Sequence, residues 1–295
     1  VVEMQVAMDI LKLLFFPGLL FMAFCGYLVL FLEGRLHVVF YGGEGPRPLA
    51  LGAGGEEAAV SSPGDLVAAA ISLAALGVAG ILLIDMKGDL FTLVLLFSAA
   101  EMLPLFLVAA GGGEETLHVP LHFRSAFYRM AVLICIAVSV SLRFPAAFSP
   151  GLETFRGESA FSAVQLWNGP DFGLIMASLV CAALSFGVTL LGRPACGRPS
   201  GPAGAGAVGG FYSLAAEGAQ RSVSLLAFVV LFLGYPWQGW TGLLVWVAAA
   251  LGAAVLFTVM RAWLEGRGLL FTRKLQPAAM LLALLSLALA FAAVV

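Results

Sequence analysis

Eight stretches of this chain are apolar over lengths that cross the ~30 Å of hydrocarbon in a bilayer. They fall near 11–32, 66–84, 89–110, 123–144, 171–192, 217–235, 240–261 and 276–295. Inside a bilayer every backbone N–H and C=O must be satisfied within the segment, so apolar spans of this length fold as helices. The expected fold class is therefore an all-α integral membrane protein, with about eight transmembrane helices in a single polytopic bundle covering 1–295. Composition agrees: 61% of residues are hydrophobic and 11% charged, and the mean hydropathy is +1.03. The first run, LLFFPGLLFMAFCGYLVLFL, is too long for a signal-peptide core and lacks a small-residue cleavage site, so it reads as a retained span. Short connections near 85–88 and 236–239 make spans 2–3 and 6–7 helical hairpins, and YPWQGW reads as an interfacial aromatic turn. No soluble domain stands out, nor any internal repeat.

Orientation follows from the basic residues. The connections after spans 1, 3, 5 and 7, with the flanking span ends, hold 11 of the 15 Lys and Arg, and the other side holds 4. The positive-inside rule then puts those four connections in the cytoplasm and both termini outside. One of these connections contains GRPACGRPSGPAGAGAVGG, residues 192–210, which has neither the apolarity of a span nor a single acid.

The same inventory excludes several functions. A net charge of −2 with scattered bases gives no footprint for nucleic acid. Cys25, Cys135, Cys181 and Cys196 show no C-x-x-C spacing and read as buried thiols. His118 and His122 have an i, i+4 spacing, but Pro120 between them argues against a helical metal site. No nucleophile elbow, phosphate loop or zinc-protease pattern occurs, so the chain is expected to carry no catalytic centre, no metal and no cofactor of its own.

What stands out instead is charge inside the spans. A carboxylate at the bilayer midplane costs about 2.5–3.5 kcal/mol on insertion scales, which makes each one a functional hypothesis. Glu101, in LLFSAAEMLPLF, lies near the centre of span 3. It reads equally as a proton-relay carboxylate or as a structural hydrogen-bond acceptor for a neighbouring helix. Glu217 and Arg221 open span 6 at i, i+4, in the order favourable on a helix, and read foremost as an interfacial ion pair. Arg124 and Arg129 begin span 4 and can snorkel to the surface; Asp85, Lys87 and Asp89 read as capping a tight turn.

Three short patterns, in order, carry a resemblance. EGRLHVVFYGGEGP places Glu33, Arg35, Gly42, Gly45 and Pro46 at the spacing of an E-R-K … Q-G-R-x-G-P-type connection, RSAF begins at Arg124, and VMRAW contains Arg261. In these the chain resembles a divergent member of the family of the first membrane-arm subunit (subunit 1) of respiratory complex I, the NADH-quinone oxidoreductase. That family includes the homologous membrane subunit of energy-converting, membrane-bound [NiFe] hydrogenases. The resemblance implies that Arg198 matches the arginine of the family's acidic cytoplasmic loop and Glu217 its final glutamate. The intervening acids are replaced by Pro202, Ala205, Ala207 and Gly209, a family glutamate falls at Ala195, and the span-4 glutamate falls near Leu133.

By this resemblance the chain is a non-catalytic membrane-arm subunit of an ion-translocating oxidoreductase, of the NADH-quinone or energy-converting hydrogenase type, in a prokaryotic cytoplasmic membrane. Glu33, Arg35, Gly45, Pro46, Arg124 and Arg198 would face the hydrophilic arm, and Glu101, Glu217 and Arg221 would belong to a proton path. Iron–sulfur clusters, and a [NiFe] centre or flavin, would reside in hydrophilic partner subunits, with quinone as a candidate acceptor. Antiporter-like and small membrane subunits would be lateral partners, within the lipid bilayer. The alternative reading is a free-standing secondary ion transporter, for which paired broken helices with convergent polar groups are the expected sign.

Overall fold

A computed structural model describes residues 19–41, 63–85, 88–111, 119–142, 151–152, 171–191, 207–234, 239–266 and 272–293. Among them the regular structure is helical, and the only strand-like feature is an isolated bridge between Asp89 and Gly151. The helices are α1 (Leu19–Tyr41), α2 (Pro63–Asp85), α3 (Leu90–Gly111), α4 (Val119–Ser141), α5 (Phe172–Leu191), α6 (Ala207–Phe228), α7 (Gly239–Gly266) and α8 (Thr272–Ala292). Six of the described segments are long and apolar enough to span a membrane: Leu20–Phe40, Phe123–Ser141, Phe172–Leu191, Ala215–Leu233, Leu244–Leu264 and Leu275–Ala292. Within α2 and α3 the apolar runs among the described residues are Ala69–Asp85 and Leu90–Leu103.

Two helices extend furthest beyond their expected limits. α1 continues past residue 32 to Tyr41, so Glu33 and Arg35 stand on a helix rather than in a connection. α6 begins at Ala207, inside the Gly/Pro/Ala-rich stretch, so Glu217 and Arg221 lie well within it rather than at its opening. Leaving Arg221 out of the charge count gives ten bases against four, and the bias persists. Pro120 occupies the first turn of α4, where a missing N–H is tolerated; His118 and the side chain of His122 lie outside the described residues.

Large apolar side chains point outward throughout: Leu95, Leu244 and Leu281 are each 68% exposed, an arrangement that water penalises and lipid accepts. The interior combines large side chains such as Trp246, Leu76, Leu93 and Ile136 with small residues where helices approach closely. The chain divides into two compact units, one comprising 1–81, 96–126 and 194–223, the other 82–95, 127–193 and 224–295.

In the first unit, Gly26 of α1 meets Gly218 of α6 backbone to backbone, and Gly80 of α2 receives the side chain of buried Met22. Lipid tails are as apolar as leucine, so helices in a membrane associate through close van der Waals contact and hydrogen bonds, which such glycines permit. The Ser72 hydroxyl donates to the Ala100 carbonyl at 2.9 Å, linking α2 to α3, and Phe106 meets Phe123 edge-on at 5.3 Å.

In the second unit, α5 and α8 pair along a seam of serine and alanine. The Ser178 hydroxyl donates to the Ser286 carbonyl at 2.7 Å, and the Ser286 hydroxyl donates back to the Ser178 carbonyl at 2.8 Å. Seven residues along α5, Ser185 donates to the carbonyl of Ala279, seven residues back along α8, at 2.7 Å, so the helices run antiparallel. Ala182, Ala283 and Ala290 complete the buried seam. At the start of α3, Asp89 accepts the N–H of Thr92 at 2.6 Å as an N-cap, and Gly88 supplies the positive φ of 82° that the turn requires.

Beyond Phe228 the chain of α6 loosens into one π-helical turn, Val229–Leu233, closed by the Gly234 N–H on the Val229 carbonyl at 2.9 Å. Phe228, just before this turn, and Phe232 within it lie 5.3 Å apart between centroids; both pack on Phe186, at 5.9 and 6.3 Å, and Phe228 packs on Phe257 at 5.5 Å.

Candidate functional site

The polar centre of the first unit is one face of α6. Glu217, Gln220 and Arg221 are spaced i, i+3, i+4, which places all three side chains on a single stripe. The Gly26–Gly218 crossing holds α1 against this stripe so closely that a methyl at Gly26 would lie 2.2 Å from the Gly218 carbonyl carbon. Ser222 strengthens the crossing by donating to the Met22 carbonyl of α1 at 3.2 Å. Seven residues after Gly26, about two turns further along α1, stands Glu33.

Arg221 is 6% exposed and engages two carboxylates. Its Nη1 donates to Glu33 Oε2 of α1, and its Nη2 donates to Glu217 Oε1 at 2.8 Å. The two Nη groups of the planar guanidinium thus serve different helices. Beside it, Gln220 Nε2 donates to Glu101 Oε1 of α3 at 2.6 Å. Among the contacts described, one stripe of α6 therefore gathers three carboxylates around one guanidinium and one neutral amide. Ions removed from water are tolerated only when paired and hydrogen-bonded, as Arg221 is here.

The sequence-based candidates are distributed unevenly. Glu33, Glu217 and Arg221 come together, and Glu101 joins the same face through Gln220. Glu33, which the resemblance assigns to the hydrophilic-arm surface, is turned inward onto Arg221, with 16% of its side chain exposed. The Glu217–Arg221 pair forms as i, i+4, with the Arg221 side chain 7% exposed and that of Glu217 33%. Arg35 is exposed, its guanidinium 5.2 Å from the Phe31 ring one turn earlier, and Arg124 is exposed as well. Gly45, Pro46 and Arg198 lie outside the described residues. Gln220 does not stand out in the sequence; its signal is an uncharged polar residue between Glu217 and Arg221 on their own helical face.

Among the described residues no group of three or more His, Cys, Asp or Glu is arranged to hold a metal ion. What the stripe offers chemically is proton exchange. A glutamine amide donates N–H to an ionised carboxylate and, rotated by half a turn, accepts O–H from a protonated one. An amide of this kind can partner a carboxyl group in either form. The pair Glu33 and Glu217 holds the fixed positive charge alongside.

These features define a class: an all-helical membrane protein with an ionic cluster inside its helix packing. The sequence matches no family model and no curated protein.

Proposed function

We propose that this chain is a non-catalytic membrane-arm subunit of a multisubunit, ion-translocating oxidoreductase of the complex I or energy-converting hydrogenase type. One observation carries the reading: Glu33 and Glu217, from distant parts of the sequence, share the single guanidinium of Arg221. Glu33 is one of the positions that carry the resemblance to the first membrane-arm subunit of complex I, and Glu217 is one that the resemblance implies. In this reading the chain crosses the membrane eight times, with both termini outside a prokaryotic cytoplasmic membrane. Redox chemistry belongs to iron–sulfur and [NiFe]- or flavin-bearing partner subunits, with quinone as one candidate acceptor. Exposed Arg35 and Arg124 offer cations to the hydrophilic arm.

The chain's own contribution is to take up and release a proton at Glu101. The proton leaves or joins a carboxylate oxygen while Gln220 turns to keep the hydrogen bond, and the charge change is felt by the Glu33–Arg221–Glu217 cluster on the same stripe. The Gly/Pro/Ala-rich stretch has no acid between Asp171 and Glu217, so it supplies no carboxylate of its own.

A second reading, a free-standing secondary ion transporter, draws on the π-helical turn at Val229–Leu233, because transporters place broken helices near their ion sites. Extraction in mild detergent separates the two. A membrane-arm subunit co-purifies with iron–sulfur subunits and other polytopic chains. A monodisperse preparation of this chain alone that moves ions in vesicles would overturn the first reading and establish the second.

A further inference from the structure

The turn between α2 and α3 is held by a part of the chain that the proposed proton chemistry does not use. Asp89, the N-cap of α3, forms an antiparallel bridge with Gly151, from the connection between α4 and α5. Next to it the Leu152 N–H donates to the Gly88 carbonyl at 2.9 Å. Leu152 is fully buried although it lies outside α1–α8, and Leu90, on the other side of Asp89, is 2% exposed. All of these residues belong to the second unit. We propose that Gly151 and Leu152 form a latch that holds the α2–α3 hairpin across the membrane, gripping its turn on the bilayer face where α4 ends.

Three observations converge on this. The first is reach. Phe123–Ser141 of α4 is long and apolar enough to span, and nine residues separate Leu142 from Leu152. Nine residues rise only roughly 14 Å as a helix, and irregular backbone does not cross lipid, so Leu152 stays on the side where α4 ends. Seven residues, 112–118, join α3 to α4, so the far end of α3 lies where α4 begins. The bond from Leu152 to Gly88 puts the near end of α3 on the opposite side. α3 must then cross the full bilayer, and its 22 residues have the length for it. α2 runs beside it, joined through Ser72 to the Ala100 carbonyl, well along both helices. The second is the chemistry of the turn. Asp85 and Asp89 flank Gly88, which is exposed, and carboxylates favour water over hydrocarbon. The third is need. Glu101 makes α3 costly to hold in hydrocarbon, so a hairpin that carries it gains from an anchor beyond its own apolarity. None of the three depends on which face is cytoplasmic or on the oxidoreductase reading.

The test uses the full chain, with whatever subunits accompany it, in sealed membrane vesicles. In a bridge flanked by its ladder bond rather than joined by it, the opposed Cα atoms lie about 4.5 Å apart, within the range a disulfide spans. Asp89→Cys combined with Gly151→Cys should therefore link nearly completely on mild oxidation, read as one joined peptide by mass spectrometry. A membrane-impermeant maleimide should label Asp89→Cys and Gly151→Cys, taken singly, from the same side of the vesicles, and Gly112→Cys only from the other. Leu152→Asp should speed hydrogen exchange in the first turns of α3 by roughly tenfold or more, the scale set by one buried leucine, and leave α8 unchanged. The disulfide and labelling arms keep the test decisive if Leu152→Asp does not fold. Absence of the disulfide, labelling of Asp89→Cys and Gly112→Cys from one side, or unaltered exchange in a folded Leu152→Asp protein would overturn the proposal.

Discussion

Arg221 is the residue on which the buried charges of the first unit depend. Two carboxylates face one guanidinium, so replacing Arg221 with Met leaves Glu33 without its ion-pair partner in the helix packing. Breaking a buried pair from one side costs about 3–5 kcal/mol, and Arg221→Met should lower the thermal midpoint in detergent sharply. Arg221→Lys should restore little, because one ammonium cannot reproduce two separate N–H forks. Glu101 behaves differently under the proton-transfer reading. Glu101→Gln keeps the shape and a hydrogen bond to Gln220 but cannot titrate. It should leave assembly on a native gel intact while reducing ion uptake per electron in reconstituted vesicles. Uptake at the wild-type ratio would make Glu101 a structural acceptor only. Glu101 and the Glu217–Arg221 spacing were legible in the sequence because an acid amid apolar residues and an i, i+4 pair are local signals. The link from Arg221 to Glu33 spans 188 residues and leaves no local trace, and Gln220 carries no charge to draw attention.

Among the elements, α1 and α6 show how a close crossing positions chemistry. Gly26→Ala would set a methyl 2.2 Å from backbone carbon of Gly218, closer than real contacts allow, and backbone cannot step aside as a side chain can. The helices must separate, and Glu33 moves with α1. Gly26→Ala should therefore destabilise the protein and mimic loss of the Glu33–Arg221 pair. Gly252→Ala, in α7, meets nothing within 4 Å and supplies the control. There the better helix propensity of alanine, worth up to about 1 kcal/mol, should leave the midpoint unchanged or raise it. The existence and order of the helices were legible from hydropathy alone, but their ends were not. Hydropathy falls at Glu33, yet α1 continues because Arg221 neutralises that acid and Arg35 lies over Phe31. The run 207–216, AVGGFYSLAA, is apolar enough to continue a span, yet Gly209 and Gly210 read as part of the Gly/Pro/Ala-rich stretch, and α6 starts at Ala207 all the same.

At the scale of the whole molecule, the number of membrane crossings turns on α2 and α3. Six described segments have the length and apolarity of spans, and the apolar runs described within α2 and α3 are Ala69–Asp85 and Leu90–Leu103. The helices themselves are 23 and 22 residues long, roughly 33–35 Å at 1.5 Å per residue, which is sufficient for the ~30 Å core. They are consecutive in sequence and joined by a turn at Gly88, so they cross together or not at all. Omitting both preserves the sidedness of every other helix and moves Lys87 alone to the cytoplasmic side, so the charge bias keeps its direction for six crossings as for eight. Reporter fusions separate the two. With eight crossings, fusions at Gly54, Gly112 and Gly204 should report the cytoplasm, and fusions at Gly88 and Gln238 the outside. With six, Gly88 alone should change, reporting the cytoplasm with its neighbours Gly54 and Gly112. The expected result is an outside signal at Gly88, because α2 and α3 pair through Ser72 and Ala100 at 2.9 Å and satisfy their backbones as helices along their lengths. An outside signal at Gly204 would be a different outcome. It would reverse the orientation drawn from the basic residues and remove the acid-free stretch from the side on which the proposed hydrophilic arm must dock.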